Sequence, residues 1–324
     1  MDTIISYKKI PEYLHERLDK HGKVYYFNEI TEENQKDFEE KLSEASALLG
    51  SSMKITEDLL NKAPNLRVVS NTSAGYDNLD LEELTRRGII ATNIAEALAD
   101  TTADLIFGLM LSAARRITEL DRIVRRGSWN EDIGSDRFGL DVHHKTIGIV
   151  GMGGIGRAVA KRAALGFDMK VLYTKRNRDF EAERELGVVH CELSELLSES
   201  DYVCLTIPLK KEMIHMITAK ELEQMKSSAI LINGSRGRVV DEEALIKALK
   251  NGEIRGAGLD VYEQEPLPKE SELLSLENVV LAPHIGSATQ ETRNRMVEHG
   301  IDNLLAALKG EKPRNILNQS VIRA

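Results

Sequence analysis

Cysteine is scarce in this sequence. Its 324 residues include two cysteines, Cys191 and Cys204, at a separation that fits neither a metal-binding nor a redox motif. So few thiols, without a pairing pattern, are typical of a reducing compartment. The sequence therefore predicts no metal site built on cysteine, and it offers no other cluster with the spacing of metal ligands.

An excess of positive charge and a targeting segment are also lacking. Lys and Arg number 43 against 52 Asp and Glu, so the formal net charge is −9. This balance argues against a nucleic-acid partner or an anionic membrane surface, although it leaves room for a local basic patch. The opening residues, MDTIISYKKIPEYL, lack the charged-then-apolar pattern of a signal peptide. No apolar run has the length expected of a membrane span, so we expect a cytoplasmic protein.

The chain instead contains short apolar runs that alternate with helix-favouring segments. Near the start, strands are expected at 3–6, 24–27, 47–49, 66–69 and 89–92, and helices at 11–19 and from Thr31, as N-cap, to about 42. A second series has expected strands at 146–150, 171–174, 201–207, 229–232, 258–261 and 279–282, and helices at 241–251 and 289–309. This alternation predicts an α/β fold with parallel sheets covered on both faces.

The stretch Lys145–Ala164, KTIGIVGMGGIGRAVAKRAA, organises the second series. A β-branched run precedes the pattern G-x-G-x-x-G, and a helical pattern follows it. In such a strand–turn–helix, Gly151 permits the tight turn and Gly153 lets the backbone approach a pyrophosphate. Gly156 lets the helix pack closely on the strand, and the free N–H groups at the helix start complement phosphates. The stretch therefore predicts a dinucleotide-binding site.

This glycine motif lies in the middle of the chain, which predicts an inserted domain. Residues 100–126 are helix-favouring and are expected to form one linking helix; residues 127–144, with Trp129, are expected to form an extended surface loop. We expect a Rossmann-like dinucleotide-binding domain at 100–287. It would be inserted into a Rossmann-like or flavodoxin-like substrate domain made of 1–99 and 288–324.

Four polar stretches follow expected strands, where open α/β sheets bind ligands. They are NTSAGYDN (71–78), NGSRGRVVDE (233–242), GLDVYEQEP (258–266) and APHIGSAT (282–289). Three side chains in them could carry chemistry: Arg236, Glu265 and His284. Taken singly, Glu265 is typical of a solvated loop carboxylate and Arg236 of a surface charge.

Together with GMGGIG (151–156), these motifs resemble the D-isomer-specific 2-hydroxyacid dehydrogenases in order and spacing over nearly the whole chain. YDNLD, DVHHKTIGIVGMG, MKSSAI, GLDVYEQEPL and PHIGSAT resemble in particular the members that reduce glyoxylate, hydroxypyruvate and 2-ketoaldonates such as 2-ketogluconate. The resemblance implies an NAD(P)H-dependent oxidoreductase that converts small 2-oxo acids to D-2-hydroxy acids.

The resemblance also implies that Arg236, Glu265 and His284 form the catalytic trio. A planar guanidinium suits the task of holding a substrate carboxylate and polarising the ketone. Histidine is the side chain best suited to donate a proton near neutral pH. A carboxylate beside an imidazole orients the ring and favours its protonated form.

Further contacts follow from the same resemblance. The substrate carboxylate is expected at the backbone N–H groups of Ala74 and Gly75, a segment that could equally be a plain tight turn. Arg236 and His284 are expected to touch both substrate and cofactor. The other expected cofactor contacts, beside the three motif glycines, are Gly154, Ile155, Ile207, Pro208, Gly234, Ser235, Asp260, Gly286 and, as a weaker candidate, Thr102.

The second expected strand of the dinucleotide domain ends without an acidic residue. NAD-binding folds usually place an acid there to bind the ribose 2′-hydroxyl. Here Thr174 is followed by the basic run KRNR, and the next acid is Asp179. Because Lys175 and Arg176 would suit a 2′-phosphate, we expect NADP(H) to be preferred and NAD(H) to be accepted. Arg178 is also compatible with a solvated turn.

Two other functions stay open. A dinucleotide-sensing binding protein can use the same fold, as one transcriptional co-repressor does. A phosphoglycerate-type dehydrogenase often carries an added C-terminal regulatory domain, for which this chain leaves no room. The resemblance finally implies a homodimer built on the 100–126 helix and the loop of Trp129.

Overall fold

The computed structural model describes residues 2–322. The chain divides into two compact units. Within the described residues, unit 1 consists of residues 2–98 and 288–322, and unit 2 consists of residues 99–287. Unit 2 is therefore inserted into the sequence of unit 1.

Unit 1 contains a sheet of five parallel strands. They are β1 (Asp2–Ser6), β2 (Gly22–Tyr26), β3 (Ala47–Gly50), β4 (Val68–Asn71) and β5 (Ile90–Thr92). The spatial order is β2-β1-β3-β4-β5, which is the order of flavodoxin-like folds. The first four helices are α1 (His15–Asp19), α2 (Gln35–Leu42), α3 (Glu57–Asn61) and α4 (Leu81–Arg86).

Unit 2 contains a sheet of seven parallel strands. They are β6 (Thr146–Val150), β7 (Lys170–Thr174), β8 (Val189–His190), β9 (Tyr202–Leu205), β10 (Ile230–Asn233), β11 (Gly256–Leu259) and β12 (Val279–Leu281). The spatial order is β8-β7-β6-β9-β10-β11-β12, so the direction of winding reverses between β6 and β9. Ligands of doubly wound folds bind at the carboxyl ends of the strands at such a reversal.

The helices of unit 2 cover both faces of this sheet. They are α5 (Ala99–Ala114), α6 (Ile117–Arg125), α7 (Gly154–Phe167), α8 (Phe180–Leu186), α9 (Leu193–Glu199), α10 (Ala219–Glu223) and α11 (Glu242–Asn251). One buried cluster joins α5 and α7 to the sheet through residues such as Ile106 and Val159. A second joins α9, α10 and α11 through Leu196, Leu222 and Leu245. The chain closes with α12 (Gln290–Leu308), which belongs to unit 1.

The core of unit 1 follows the pleat of its strands. Successive residues of a strand point to opposite faces, and both faces here are covered. Ile5 packs with the α2 and α3 side chains, whereas its neighbour Ile4 packs with α1 and α12. Leu48 and Leu49 divide in the same way. The prediction of parallel α/β sheets covered on both faces is therefore confirmed.

The run 100–126 is not one helix, as the sequence predicts, but the pair α5 and α6. Arg116 adopts φ of +56° between them, a left-handed conformation that ends a right-handed helix. Its guanidinium Nε donates to Glu119 Oε2 at 2.8 Å in the first turn of α6. The break is thus fixed by a local ion pair.

The predicted start of α2 at Thr31 is also wrong. The helix begins at Gln35 after Asn34, whose Oδ1 accepts a hydrogen bond from the Thr31 N–H at 2.8 Å. Asparagine side chains compete with helix formation by closing such turns. The two-residue strand β8 had no counterpart among the predicted strands, because two residues carry no periodic signal.

One helical segment, Ala95–Ala114, has the length and the mean hydropathy, 1.3, of a membrane span. The segment is not an uninterrupted apolar run, because it contains Glu96, Asp100 and Asp104. Half of that window is buried inside the protein, and α5 side chains such as Met110 pack against the unit 2 sheet. Such burial against a sheet is typical of an apolar helix in a protein core.

Candidate active site

The glycine turn after β6 has the geometry that the motif predicts. Gly151 has φ of +102°, and its N–H donates to the Thr174 carbonyl at 3.0 Å. A Cβ at this position would lie 2.5 Å from Ile207 Cγ2. A Cβ at Gly156 would lie 2.1 Å from the Gly151 carbonyl oxygen. Both positions therefore require glycine, one for the turn and one for the packing of α7 on β6.

The space in front of α7 is open. Gly153 is the N-cap of this 14-residue helix, and a Cβ built on it would meet nothing within 4 Å. Gly154 and Ile155 form the first turn, whose N–H groups and positive dipole end attract phosphate. Ile207 and Pro208 follow β9, on the other side of the winding reversal. These residues fit a dinucleotide pyrophosphate.

The turn after β10 holds Arg236. Asn233 Oδ1 accepts from the N–H of Ser235 at 3.1 Å and from its hydroxyl at 2.8 Å, and Asn233 Nδ2 donates to the Arg236 carbonyl at 3.1 Å. A Cβ at Gly237 would lie 1.8 Å from the carbonyl carbon of Tyr262. The arginine turn therefore packs directly on the segment that follows β11.

That segment carries Glu265, which binds His284. The His284 Nδ1 lies 2.6 Å from Glu265 Oε2, and Glu265 Oε1 accepts from the Tyr262 N–H at 3.1 Å. Because an ionised carboxylate only accepts, Nδ1 carries the proton. The ring's Nε2 has no hydrogen-bond partner among residues 2–322, and the histidine side chain is 46% exposed. Glu265 therefore fixes the imidazole at Nδ1, while Nε2 stays accessible to another group.

The electrostatics of the pair keep Glu265 ionised. Burial by itself raises the pKa of this carboxyl, but hydrogen bonds from His284 and the Tyr262 N–H outweigh it. The charges of His284 and Arg236 act in the same direction, so the net pKa of Glu265 is lowered. Glu265 is thus a stable acceptor for the histidine ring at neutral pH.

Asp260 anchors the turn that bears His284. Its carboxylate oxygens accept from the N–H groups of Ile285 at 2.7 Å and Gly286 at 2.8 Å, and its carbonyl accepts from the His284 N–H at 2.9 Å. Asp260 is buried, and burial raises its pKa against the lowering effect of these hydrogen bonds. His284 itself has φ of +53°. Sequence reasoning placed Asp260 at the cofactor and missed this anchoring, which depends on contacts 24 to 26 residues along the chain.

A second histidine–carboxylate group lies near the first. His215 Nε2 is 2.7 Å from Glu263 Oε1, and the Glu263 N–H donates to Glu242 Oε2 at 3.1 Å. Burial raises the pKa of Glu242, and the charge of Glu263 adds to the increase. Sequence reasoning did not single out this group. Glu263 could have been noticed, because it lies two residues before Glu265 in the same motif. His215 lies in none of the motifs, so no pattern in the sequence gives a reason to select it.

Asp179, the acid nearest to the end of β7, is hydrogen-bonded to other residues of the protein. Asp179 Oδ2 accepts from Arg157 Nε at 2.7 Å, and its Oδ1 accepts from the Ala182 N–H at 3.1 Å as the N-cap of α8. The hydrogen bond from Arg157 holds the pKa of Asp179 below its usual range, in spite of burial. Lys175 Nζ lies 4.0 Å from the same carboxylate. Asp179 is therefore committed to protein partners.

The two arginines of the basic run differ. Arg178 Nη2 binds Glu183 Oε2 at 2.6 Å, and its guanidinium lies 5.0 Å from the ring centroid of Phe180. Arg176 is exposed, and in the described part of the chain it forms no ion pair. Arg176 is thus the arginine of this run that can receive a further anion.

In unit 1, the loop after β4 presents two backbone donors. The Ala74 carbonyl accepts from Asn93 Nδ2 and the Gly75 carbonyl from Asn71 Nδ2, both at 2.7 Å. The N–H groups of Ala74 and Gly75 donate to no other group in residues 2–322. Side-chain amides therefore fix this loop through its carbonyls and leave its N–H groups for another acceptor.

Within unit 2, the structure gathers Arg236, Asp260, Glu265 and His284 at the carboxyl ends of β10, β11 and β12. Thr102 lies close to them, because a Cβ on Gly286 would be 3.3 Å from Thr102 Cγ2. Gly234 lies in the arginine turn, where a Cβ would be 2.7 Å from Ile106. No cluster of three or more potential metal ligands occurs among the described residues.

The chain is similar to proteins that are already known. The family model for the NAD-binding domain of D-isomer specific 2-hydroxyacid dehydrogenases matches residues 107–286. The glyoxylate/hydroxypyruvate reductase B of Yersinia pestis (strain Pestoides F) is 52% identical over 320 residues, which cover 99% of this chain and 98% of that protein.

Solved structures show the same similarity. The NADPH-dependent glyoxylate/hydroxypyruvate reductase of Sinorhizobium meliloti, in complex with NADP and malonate, is 30% identical with a TM-score of 0.84, covering 98% of this chain and 97% of that one. The D-lactate dehydrogenase of Aquifex aeolicus, complexed with NAD and lactic acid, is 28% identical with a TM-score of 0.84, covering 98% and 99%. The matched domain identifies the cofactor as a nicotinamide dinucleotide. The resemblance seen in the motifs is confirmed, and the chain belongs to the D-isomer-specific 2-hydroxyacid dehydrogenase family.

Proposed function

We propose that this protein reduces small 2-oxo acids, glyoxylate and hydroxypyruvate and also 2-ketogluconate, to D-2-hydroxy acids with NAD(P)H. The observation that carries the proposal is the 2.6 Å contact of His284 Nδ1 with Glu265 Oε2, beside Arg236. Similarity to glyoxylate/hydroxypyruvate reductase B over 99% of the chain supports glyoxylate and hydroxypyruvate as substrates, whereas 2-ketogluconate rests on the resemblance of the sequence motifs.

Arg236 holds the substrate in this proposal. Its Nη1 donates to the Ser235 carbonyl at 2.9 Å, which fixes the plane of the guanidinium. The fork of donors can then bind the substrate carboxylate and polarise the ketone oxygen. The N–H groups of Ala74 and Gly75 supply further donors for the carboxylate. Unit 1 is accordingly assigned to the substrate and unit 2 to the dinucleotide.

His284 gives the proton that the reduced ketone needs. Nδ1 is held by Glu265, so Nε2 is the nitrogen that faces the ketone oxygen and donates. The ionised Glu265 favours the protonated ring and compensates its positive charge. Arg236, Glu265 and His284 thus perform binding, orientation and proton transfer.

The dinucleotide, when bound, supplies the hydride. We propose that its pyrophosphate lies against Gly151, Gly153, Gly154, Ile155 and Gly156. Thr174, Lys175 and Arg176 meet the ribose end, and Ile207 and Pro208 border the adenosine. Gly234, Ser235, Asp260, Gly286 and Thr102 surround the nicotinamide.

The test is a substrate panel with purified protein. Oxidation of NADPH on addition of glyoxylate, hydroxypyruvate or 2-ketogluconate, with D-glycerate formed from hydroxypyruvate, supports the proposal. A dinucleotide sensor binds NADPH without oxidising it in the presence of any of the three acids. A dehydrogenase that demands a phosphorylated substrate leaves glyoxylate unreduced. Either of these results contradicts the proposal.

We further propose that NADPH is preferred over NADH. Asp179, the acid nearest to the end of β7, is bound to Arg157 and is therefore not free for a ribose 2′-hydroxyl. Arg176, in contrast, is exposed and forms no ion pair within residues 2–322. Arg176→Ala should raise the KM for NADPH at least tenfold and leave the KM for NADH within about twofold. Arg178→Ala is the matched control, because Arg178 is already bound to Glu183. Equal kcat/KM for both cofactors, unaffected by Arg176→Ala, would overturn this preference.

A homodimer is the proposed assembly. Large apolar side chains are exposed on α6 and in the loop after it, among them Val124 at 54% and Trp129 at 61%. Such a patch favours a second copy of the chain as its cover. Light scattering at micromolar concentration should give twice the chain mass, and Val124→Asp should lower it. Leu165→Asp, at an apolar site exposed on α7, should not. A monomeric wild-type mass rules out the dimer.

We also propose a cytoplasmic location. Cys191 and Cys204 are free and buried, and burial raises the pKa of the Cys204 thiol to about 12, so it stays protonated. Recovery of the protein with membranes or with secreted material after fractionation of cells would contradict this location.

A further inference from the structure

A cavity of about 920 Å³ lies at the carboxyl edge of the unit 1 sheet. Its walls come from residues 8–13 after β1, Ser51 and Ser52 after β3, Thr72 after β4, and 290–297 in α12. We call it the α12 cavity. In a sheet of order β2-β1-β3-β4-β5 the winding reverses between β1 and β3, which is where flavodoxin-like folds bind their ligands.

The α12 cavity has an excess of positive charge. Lys8, Lys9 and Arg293 line it against a single carboxylate, Glu12, and none of the three cations forms an ion pair within residues 2–322. Arg293 belongs to the first turn of the 19-residue helix α12, whose positive dipole end adds to the field. This local excess occurs in a chain with a formal net charge of −9.

A neighbouring cavity, which shares Lys8, Ser51 and Ser52 with the α12 cavity, lacks this excess of positive charge. At the same sheet edge, on the side of α2 and α3, a cavity of about 550 Å³ has balanced charges. Its charged residues are Lys8, Lys54 and Lys62 with Glu29, Glu39 and Asp58. Lys62 Nζ already binds Glu39 Oε2 at 2.8 Å. That cavity therefore offers no comparable attraction to an anion.

The wall between β3 and the cavity is strained. Ser52 adopts φ of +70°, a left-handed conformation that a residue other than glycine rarely takes. Residues in such conformations occur preferentially at functional sites. Ser51 and Ser52 line both the α12 cavity and the cavity beside α2 and α3, and their hydroxyl groups are possible donors to an anion.

The α12 cavity lies close to the loop proposed to hold the substrate carboxylate. Thr72, in the cavity wall, precedes Ala74 by two residues, so their Cα atoms are at most about 7 Å apart. Thr72 is itself fixed by a hydrogen bond from its N–H to the Gly50 carbonyl at 2.8 Å. The cavity wall and the loop proposed to hold the substrate carboxylate are therefore parts of one short segment after β4.

We propose that the α12 cavity binds a second acidic group, a phosphate or a carboxylate, at the far end of dianionic 2-oxo acids. This inference rests on the proposed function and names a further substrate class for the same site. The cavity takes no part in the covalent step: the ketone carbon still receives the hydride and its oxygen the proton. Its contribution is to binding, so it should appear in KM rather than in kcat.

Matched substrate pairs test the proposal on the full-length protein. The pairs are hydroxypyruvate with 3-phosphohydroxypyruvate, and 2-oxopentanoate with 2-oxoglutarate; the first tests a phosphate and the second a carboxylate. At low ionic strength, the dianion of at least one pair should have a KM at least tenfold below that of its partner. Arg293→Gln and Lys9→Gln should remove most of this advantage, and salt should reduce it in the wild type.

The control is Lys36→Gln, which removes an exposed lysine of α2 that lines neither cavity; it should keep the advantage. Equal KM values within both pairs overturn the inference. So does Arg293→Gln if it raises both KM values of a pair alike. An equal loss for 2-ketogluconate, which has no second acidic group, would show a hydroxyl site and also overturn it. Failure to reduce any 2-oxo acid, glyoxylate included, would instead refute the proposed function.

Discussion

Unit 2 contains two histidine–glutamate pairs whose glutamates, Glu263 and Glu265, lie on the same segment after β11, and the local geometry of the two pairs is almost the same. His284 lies 2.6 Å from Glu265, and His215 lies 2.7 Å from Glu263. The histidine side chains are 46% and 42% exposed, and the glutamates 34% and 35%. The histidine–glutamate distance and the exposure of the side chains therefore do not distinguish a proton donor from a structural contact.

The difference lies in what surrounds each pair. The positive charge of Arg236 helps to lower the pKa of Glu265, and His284 lies on a turn that the buried Asp260 holds by hydrogen bonds. Glu263 instead joins Glu242, a second carboxylate, at the start of α11. His284 is held through Nδ1 and His215 through Nε2. A histidine can act on a substrate when its free nitrogen faces a site that also holds a cation for the substrate.

The largest expected effect separates the two histidines. His284→Ala removes the proposed proton donor, so kcat for glyoxylate should fall by about 10²–10⁴-fold while the Kd for NADPH changes little. His215→Ala should lower kcat less than about tenfold, because it only loosens the turn. Steady-state kinetics and NADPH titration of both variants decide the matter. Similar losses in the two would remove the distinction drawn here.

A smaller effect is expected at Asp260. In Asp260→Asn the amide nitrogen faces one of the two backbone N–H donors of Ile285 and Gly286, so one buried hydrogen bond is lost, at a cost of about 1–3 kcal/mol. The His284 turn should loosen, and kcat should fall on the order of tenfold with the pH profile unmoved. Glu253→Gln, at an exposed position two residues after the end of α11, is the control. Unchanged kcat with a weakened NADPH affinity would make Asp260 a cofactor ligand alone.

The smallest expected effects are on stability. Because the Glu265 pKa is lowered by folding, its ionised form stabilises the protein above the ordinary carboxyl range, and this contribution is lost as the pH falls through the lowered pKa. The pair is partly exposed, so the contribution should be about 1 kcal/mol or less. Urea unfolding of wild type and Glu265→Gln at several pH values measures it. A difference that grows toward acid pH would contradict the sign.

Features with a local cause were predictable from the sequence. The glycine turn requires small residues at Gly151 and Gly156, and α11 begins at the N-cap Asp241 and ends before Gly252 as its capping residues indicate. Apolar runs located every strand except β8 to within a few residues. The end of the helix before Arg116 was not predicted, because arginine has no preference for the left-handed backbone conformation that it adopts here.

Contacts between distant loops were not predictable. Asp260 had a motif position but no sequence sign of its bonds to Ile285 and Gly286, and His215 had no motif at all. The side chains named by the family motifs can be located from sequence, while the groups that hold them in place depend on the packed fold. The engagement of Asp179 by Arg157 is of this second kind.

The most direct test of the account is the pH profile of kcat/KM for glyoxylate reduction in Glu265→Gln, with Glu263→Gln beside it. Loss of the charge at Glu265 should move the basic limb of the profile to lower pH, because the neutral amide no longer favours the protonated ring. Glu263→Gln should leave that limb where the wild type has it. A basic limb that stays in place in Glu265→Gln, or moves equally in both variants, would contradict the assignment of Glu265 and His284 as the acid–base pair.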